Sequence, residues 1–185
     1  LSTSEIQLVE NCVKGDRKAQ QLLFESYSGP LSRVCRRYIQ NEEDARDVFQ
    51  EGFIKIFRSL DTFRHQSSLE TWMTRIMINS ALSHLRLKKL KFSENVSDLP
   101  DIGEDDSTPD KYMDLDTNSV IECVKQLPDG YRTVLNLYVM DGYSHKDIAQ
   151  MLGISENTSK TQLLKARKKV RELFDSVTSK KTSGR

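Results

Sequence analysis

Apolar residues recur with the period of an α-helix along most of this chain, and the pattern lapses once, between residues 93 and 117. Alternating strand patterns are scarce, so the core must come from helix stripes packed on one another. The lapse holds Pro100 and Pro109, and Ser93 to Asn118 carries nine Asp or Glu residues against one Lys. A segment so acidic and so poor in apolar side chains cannot repay the entropy of ordering, and it reads as a flexible linker. In a chain of 185 residues this leaves two flanks, each the size of a small domain. The expected fold is all-α: a helical bundle over residues 1–92, an acidic linker over 93–117, a second helical domain over 118–177 and a disordered tail over 178–185.

In the first flank, Ser4 is placed to cap a helix carrying Ile6, Val9 and Val13, ending near Gly15. Asp16 is placed to cap a second helix with Leu22, Leu23 and Phe24 inside, closed by Gly29-Pro30. Residues 31–40 form a third, with Leu31, Val34, Cys35 and Tyr38 on one side. The clearest stripe spans 43–59, where Ala45, Val48, Phe49, Phe53, Ile56, Phe57 and Leu60 keep i, i+3, i+4, i+7 spacing. After the loop "DTFRHQSS", Ser67 or Ser68 with Glu70 starts a long helix, "LETWMTRIMINSALSHLRLKKLK". On it Leu69, Trp72, Ile76, Asn79 and Leu82 share a side, with Asn79 a polar intrusion. In the second flank the pattern predicts helices over 118–126, 128–140 (with Pro128 at a favoured first position), 144–152 and 155–175.

The formal net charge of +1 hides a basic, acidic, basic order. Arg75 to Lys91 has five basic residues and no acidic one, and Lys160 to Arg185 has nine basic against two acidic. Two separated cationic segments suit two contacts with a polyanion. The three cysteines, Cys12, Cys35 and Cys123, lie far apart in no metal-ligand or CxxC spacing, which fits reduced, buried thiols in a cytoplasmic protein. No apolar run reaches membrane-spanning length, so no membrane insertion is expected. The first residue is Leu, so the sequence need not start at a native N-terminus.

Residues 143–173, "YSHKDIAQMLGISENTSKTQLLKARKKVREL", have the grammar of a helix-turn-helix. Ser144 can cap a first helix whose apolar face is Ile148, Ala149 and Leu152. Gly153 supplies the left-handed residue that ends it, Ile154 plugs the corner, and Ser155 caps the next helix. There Leu163, Ala166, Val170 and Leu173 keep core spacing, while Lys160, Thr161, Leu164, Lys165 and Lys168 fall on another face. The competing reading is a helical hairpin with a solvated basic side. The tight "LGIS" turn, the small Ala149 and a cationic face on only the second helix favour DNA, through phosphate contact before base readout.

Two blocks carry a resemblance to a known family: "DARDVFQEGFIKIFRSLDTFRHQSSLETWMTRIMINSALSHLR" and "IECVKQLPDGYRTVLNLYVMDGYSHKDIAQMLGISENTSKTQLLKARKKVREL". They resemble the second and fourth conserved regions of extracytoplasmic-function (group IV) sigma factors, the small promoter-specificity subunits of bacterial RNA polymerase. The wording "GISENTSKTQLLKAR" is similar to members from Bacteroidetes. The resemblance implies a non-catalytic subunit without cofactor, metal or small-molecule substrate. Its implied partners are core RNA polymerase (largest-subunit clamp helices and flap region), promoter DNA and, commonly in the family, an anti-sigma factor. It implies clamp docking by Asp44, Asp47, Gln50 and Glu51. The implied −10 contacts are Phe63, Arg64, His65, Gln66, Ser67, Ser68, Arg75 and Asn79, with phosphates tracked by Arg86, Lys88, Lys89 and Lys91. The implied −35 contacts are Lys160, Thr161, Leu164 and Lys165, with Arg167 and Lys168 near phosphate and Ser155, Asn157 and Thr158 at the helix start. Two positions depart from the family pattern: Ser159 stands where many members have Val, and Gln162 where many have Arg. Ser159 is expected to weaken packing slightly. Gln162 would give up a guanine or phosphate contact while remaining able to read adenine.

Two other functions are compatible with parts of the chain. A stand-alone regulator would use residues 1–92 for sensing or dimerisation, and only the first block argues against it. An enzyme has little support: His65, His84 and His145 are isolated, and no P-loop, HExxH or GxSxG motif is present.

Overall fold

The computed structural model describes residues 3–91 and 117–182, and every regular element among them is helical. The expected linker lies outside the described residues except for Thr117, which already opens a helix. The chain divides into two compact units, Leu1–Glu94 and Asn95–Arg185.

The first unit holds α1 (Thr3–Val13), α2 (Arg17–Tyr38), α3 (Glu42–Ser59), a 3₁₀ turn (Leu60–Thr62) and α4 (Leu69–Lys91). Ser4 lies inside α1 and is not its cap, whereas Asp16 caps α2 as expected, accepting from the Lys18 and Ala19 amides. The two helices expected over residues 16–40 are one. α2 runs through Pro30, because the stripe Ala19, Leu23, Leu31, Val34, Cys35 and Tyr38 stays in helical phase across it and is buried. That burial outweighs the roughly 3 kcal/mol a mid-helix proline costs. Gly29 also lacks the Cβ that would crowd the proline ring.

Asn41 caps α3 by accepting from the Asp44 amide, and α2, α3 and α4 pack pairwise around the core. Phe24, Phe49, Phe53 and Phe57 form a chain of edge and tilted ring contacts along α2 and α3. Ser68, not Ser67, caps α4, accepting from the Thr71 amide at 3.1 Å. The inward side of α4 is Leu69, Met73, Met77, Ser80 and Ala81, together with Ile78 and Leu82. The stripe expected from Trp72, Ile76 and Asn79 lies a fraction of a turn away. Trp72 and Ile76 are half-buried and Asn79 is exposed, which removes the apparent polar intrusion. At Gly52 of α3 an added Cβ would overlap the Sδ of Met77 on α4.

The second unit holds α5 (Thr117–Lys125), α6 (Asp129–Leu135), a π-helical turn (Asn136–Met140), α7 (His145–Leu152) and α8 (Glu156–Thr182). Cys123, Leu127, Ala166 and Val170 form its core, with Val124, Tyr131, Leu135, Leu173 and Phe174 packed around them. Pro128 is the residue before α6 rather than its first. Arg132 is buried and folds back on the α5–α6 corner, donating to the Leu127 carbonyl at 2.6 Å and pairing with Asp129. The expected tail is helical backbone as far as Thr182, and the sequence offers no breaker before Gly184.

Candidate nucleic-acid interface

The sharp corner between α7 and α8 is built as the residues dictate. Ser144 and Asp147 form a reciprocal capping box at the start of α7, and the Ser144 hydroxyl, donating at 2.6 Å, holds the Asp147 carboxyl below its ordinary range. Gly153 takes φ +68°, a left-handed conformation that few other residues adopt without strain, and the Ile154 amide returns to the Ala149 carbonyl at 3.1 Å. Ser155 caps α8, accepting from the Thr158 amide at 2.9 Å, and its hydroxyl also meets that of Thr158 at 2.8 Å. Both hydroxyls thus serve the helix start itself.

On α8, about 100° per residue separates two faces cleanly. Ser159, Leu163, Ala166 and Val170 are buried, while Asn157, Lys160, Leu164, Arg167 and Lys168 are exposed, with Thr161 and Lys165 half-buried at the margin. Leu164 is 40% exposed, so packing does not claim it. Gln162 falls toward the inner side. Its amide lies beside Gly130 of α6, within 3.6 Å of where a Cβ there would stand, and Oε1 is buried. It belongs to the α6–α8 packing rather than to a base-reading face. Ser159 is fully buried and its hydroxyl meets His145 Nδ1 at 2.9 Å, so the site expected to be weakened packing is a polar contact.

In the first unit the loop between the 3₁₀ turn and α4 forms the second candidate surface. Arg64, His65 and Gln66 are exposed there, and His65 is the one described non-glycine residue at positive φ (57°). A shallow depression of about 240 Å³ is lined by His65, Gln66, Ser67, Ser68 and Glu5. Glu5 had no local sequence signal, since α1 brings it there from far upstream. Tyr27 donates to it at 3.1 Å, and burial together with that carboxylate pushes the Tyr27 phenol up to about 12. Phe63 is a correction: it is only 5% exposed, and its ring packs on Trp72 and His65 at 5.3 and 4.6 Å. Ser68 is another, its hydroxyl being committed to the α4 cap.

Beyond the loop, Arg75, Asn79 and Arg86 are exposed and fall within about 40° of each other around α4. Lys88 does not join them. It lies about 140° from Arg75 around the helix, and its ammonium meets Asp44 Oδ2 of α3 at 2.8 Å. His84 Nε2 approaches the same oxygen at 3.5 Å without hydrogen-bond geometry, so Lys88 carries the pair. Lys88 holds the Asp44 carboxyl below its ordinary range, and neither residue is the free contact the sequence suggested. Asp47, Gln50 and Glu51 are exposed on α3 as expected. The Lys89 and Lys91 side chains lie outside the described residues. Among the described residues no group of three or more His, Cys, Asp or Glu is placed to hold a metal, and no helix is long and apolar enough to cross a membrane.

These two surfaces coincide with two family models: Sigma-70 region 2 matches residues 23–90 and Sigma-70, region 4 matches residues 117–170. The chain is 32% identical over 178 residues to the RNA polymerase sigma-H factor of Pseudomonas aeruginosa, covering 89% of this chain and 90% of that one. It is 30% identical over 175 residues to the ECF RNA polymerase sigma-E factor of Escherichia coli (strain K12), covering 88% and 90%. Among solved structures, the sigma factor RpoE of Bartonella quintana, crystallised with the anti-sigma factor NepR, superposes with a TM-score of 0.52 at 22% identity, over 84% of this chain and 96% of that one, a likeness of fold. The chain belongs to the extracytoplasmic-function sigma factors of the sigma-70 family. It is a promoter-specificity subunit of RNA polymerase.

Proposed function

We propose that the two units divide promoter recognition between them, residues 1–92 acting as region 2 and 118–177 as region 4, with the acidic segment 93–117 as the tether. In region 2, the exposed carboxylates and amide of α3, Asp47, Gln50 and Glu51, dock on a basic surface of core polymerase, the clamp helices of the largest subunit. Arg64, His65, Gln66 and Ser67, with Arg75, Asn79 and Arg86 of α4, take the −10 element, whose melting exposes a base to the loop depression. In region 4, α8 enters the −35 major groove with Asn157, Lys160, Thr161, Leu164 and Lys165, while Arg167 and Lys168 hold phosphate. The polymerase flap region is the expected contact of this unit. The subunit contributes specificity rather than catalysis and works in the cytoplasm. An anti-sigma partner, of the kind crystallised with the Bartonella protein, is the expected regulator.

The observation that supports this division is the placement of charge: the first half of α3 exposes Glu42, Glu43, Asp47 and Glu51 against Arg46 alone, while one side of α4 and the outer face of α8 are cationic. Purified core polymerase with this chain, given a pool of randomised upstream sequences, should initiate at one position downstream of an enriched pair of elements. DNA binding with no polymerase-dependent initiation would favour the stand-alone regulator instead. Neutralising Asp47 and Glu51 together should weaken polymerase binding while leaving duplex binding by the second unit intact.

A further inference from the structure

Three side chains from three elements meet on the inner side of the recognition helix. Ser159, in the first turns of α8, is fully buried, and its hydroxyl meets Nδ1 of His145, the first residue of α7, at 2.9 Å. The imidazole is stacked on Tyr138, with ring centroids 4.5 Å apart and planes 21° from parallel. Tyr138 belongs to the π-helical turn Asn136–Met140, a helix irregularity that often marks functional sites. From the −35 reading above, we propose that Tyr138, His145 and Ser159 are positioning residues that set the seat of α8 in the groove and so the sequence selectivity of that contact.

A buried hydroxyl adds direction to a contact. A fully buried hydroxyl must be paired, and pairing with a ring nitrogen fixes both distance and angle, whichever tautomer supplies the proton. An apolar side chain at the same place would pack against its neighbours without such a constraint. Ser159 lies along the helix between Asn157 and Lys160, and about 160° around it from Thr161. Any shift at Ser159 is therefore carried to the residues nearest the base edges. Base readout depends on hydrogen bonds of about 2.7–3.2 Å that weaken steeply once the donor angle falls below about 120°. Lysine on a phosphate is a point charge on a flexible stem and tolerates the same shift. Loosening the stack should thus cost selectivity and spare general affinity.

The test uses the full chain and a −35 duplex selected from a random pool by the chain together with core polymerase. Anisotropy titrations at several salt concentrations compare the selected duplex with a scrambled one. Ser159→Ala removes the hydroxyl without adding volume, while Ser159→Val and Ser159→Thr give side chains of the same branched shape that differ in the hydroxyl. Ala and Val should reduce the selected-to-scrambled affinity ratio about tenfold, the loss of one directional base contact, with the salt dependence unchanged. Thr should keep the ratio, and His145→Leu should match Ala. Far-UV circular dichroism melting reports whether each variant is folded, and Ala decides if Val is not. A folded Ala variant with the wild-type ratio, or equal losses in Val and Thr, overturns the inference. A wild-type chain that does not prefer the selected duplex refutes the −35 reading itself, a separate outcome.

Discussion

Substitution at Gly52 sets two known effects against each other. Gly52 is buried in the middle of α3, against Met77 of α4. Helix propensity favours Gly52→Ala by about 0.8–1.0 kcal/mol. The new methyl, however, would overlap Met77 Sδ, and Met77 is itself fully buried, with its sulfur 3.8 Å from Cys35 Sγ. Forcing a methyl into so filled a space costs about 1–3 kcal/mol. Crowding therefore wins, with a net destabilisation of about 1 kcal/mol, or about 4–8 °C in Tm for a unit of this size.

The assay is built into the sequence. Trp72, the one tryptophan, sits on α4 against Phe63, so its emission reports unfolding of this unit. Urea titrations of wild type, Gly52→Ala, Met77→Ala and the double variant complete a cycle. Met77→Ala alone should cost about 2–5 kcal/mol. In the double variant the new methyl occupies space the sulfur has left, giving a favourable coupling of at least about 1 kcal/mol. A stabilised Gly52→Ala protein, or a cycle that adds within about 0.3 kcal/mol, would refute the close-contact argument.

Other consequences are measurable on the same chain. Lys88 holds the Asp44 carboxyl below its unfolded value near about 3.9. The stability this pair contributes is therefore present above that value and lost as pH falls through the lower, folded value. It stays below about 1 kcal/mol because both partners are partly exposed, and Lys88→Met should flatten that part of the Trp72-monitored stability profile. Arg132 is 2% exposed, donates to the Leu127 carbonyl and pairs with Asp129, so Arg132→Ala should cost the second unit about 2–4 kcal/mol. Circular dichroism should show that loss while the Trp72 transition stays in place. Burial pushes all three cysteine thiols up, Cys35 to about 11, so a thiol reagent at neutral pH should label the native protein slowly and the urea-unfolded chain at all three positions.

What was legible in the sequence depended on how local its cause is. The caps at Asp16, Ser144 and Ser155 and the corner at Gly153 each need only a few neighbouring residues, and they stand where the spacing placed them. The stop expected at Gly29-Pro30 also followed a local rule, but burial over the whole length of α2 overrides it. The helical period marked α4 correctly as a helix, yet Met73 and Met77 on its true inner side are flexible residues that compete poorly with Trp72 and Ile76 in an apolar tally. The continuation of α8 beyond residue 177 follows from the lack of any breaker, a weaker signal than the run of polar residues that suggested a tail.

The candidate site shows the same division more sharply. Exposure on α8 largely followed the helical period: Lys160, Leu164 and Lys168 are exposed where the spacing put them, with Thr161 and Lys165 half-buried at the margin. Partnerships did not follow. Lys88 reaches back 44 residues to Asp44, Tyr27 bonds Glu5 22 residues away, and His145 and Ser159 meet across 14. Each changes the meaning of a residue type: a lysine in a basic run closes an ion pair, a carboxylate lines a loop pocket, and a serine in place of valine becomes a directional contact. The two departures from the family pattern are the instructive cases. Ser159 and Gln162 look like losses when the helix is read alone, because their partners, His145 on α7 and the flank of Gly130 on α6, lie on other elements. Both face inward, so whatever selectivity they confer must act through the placement of α8 and not by touching a base.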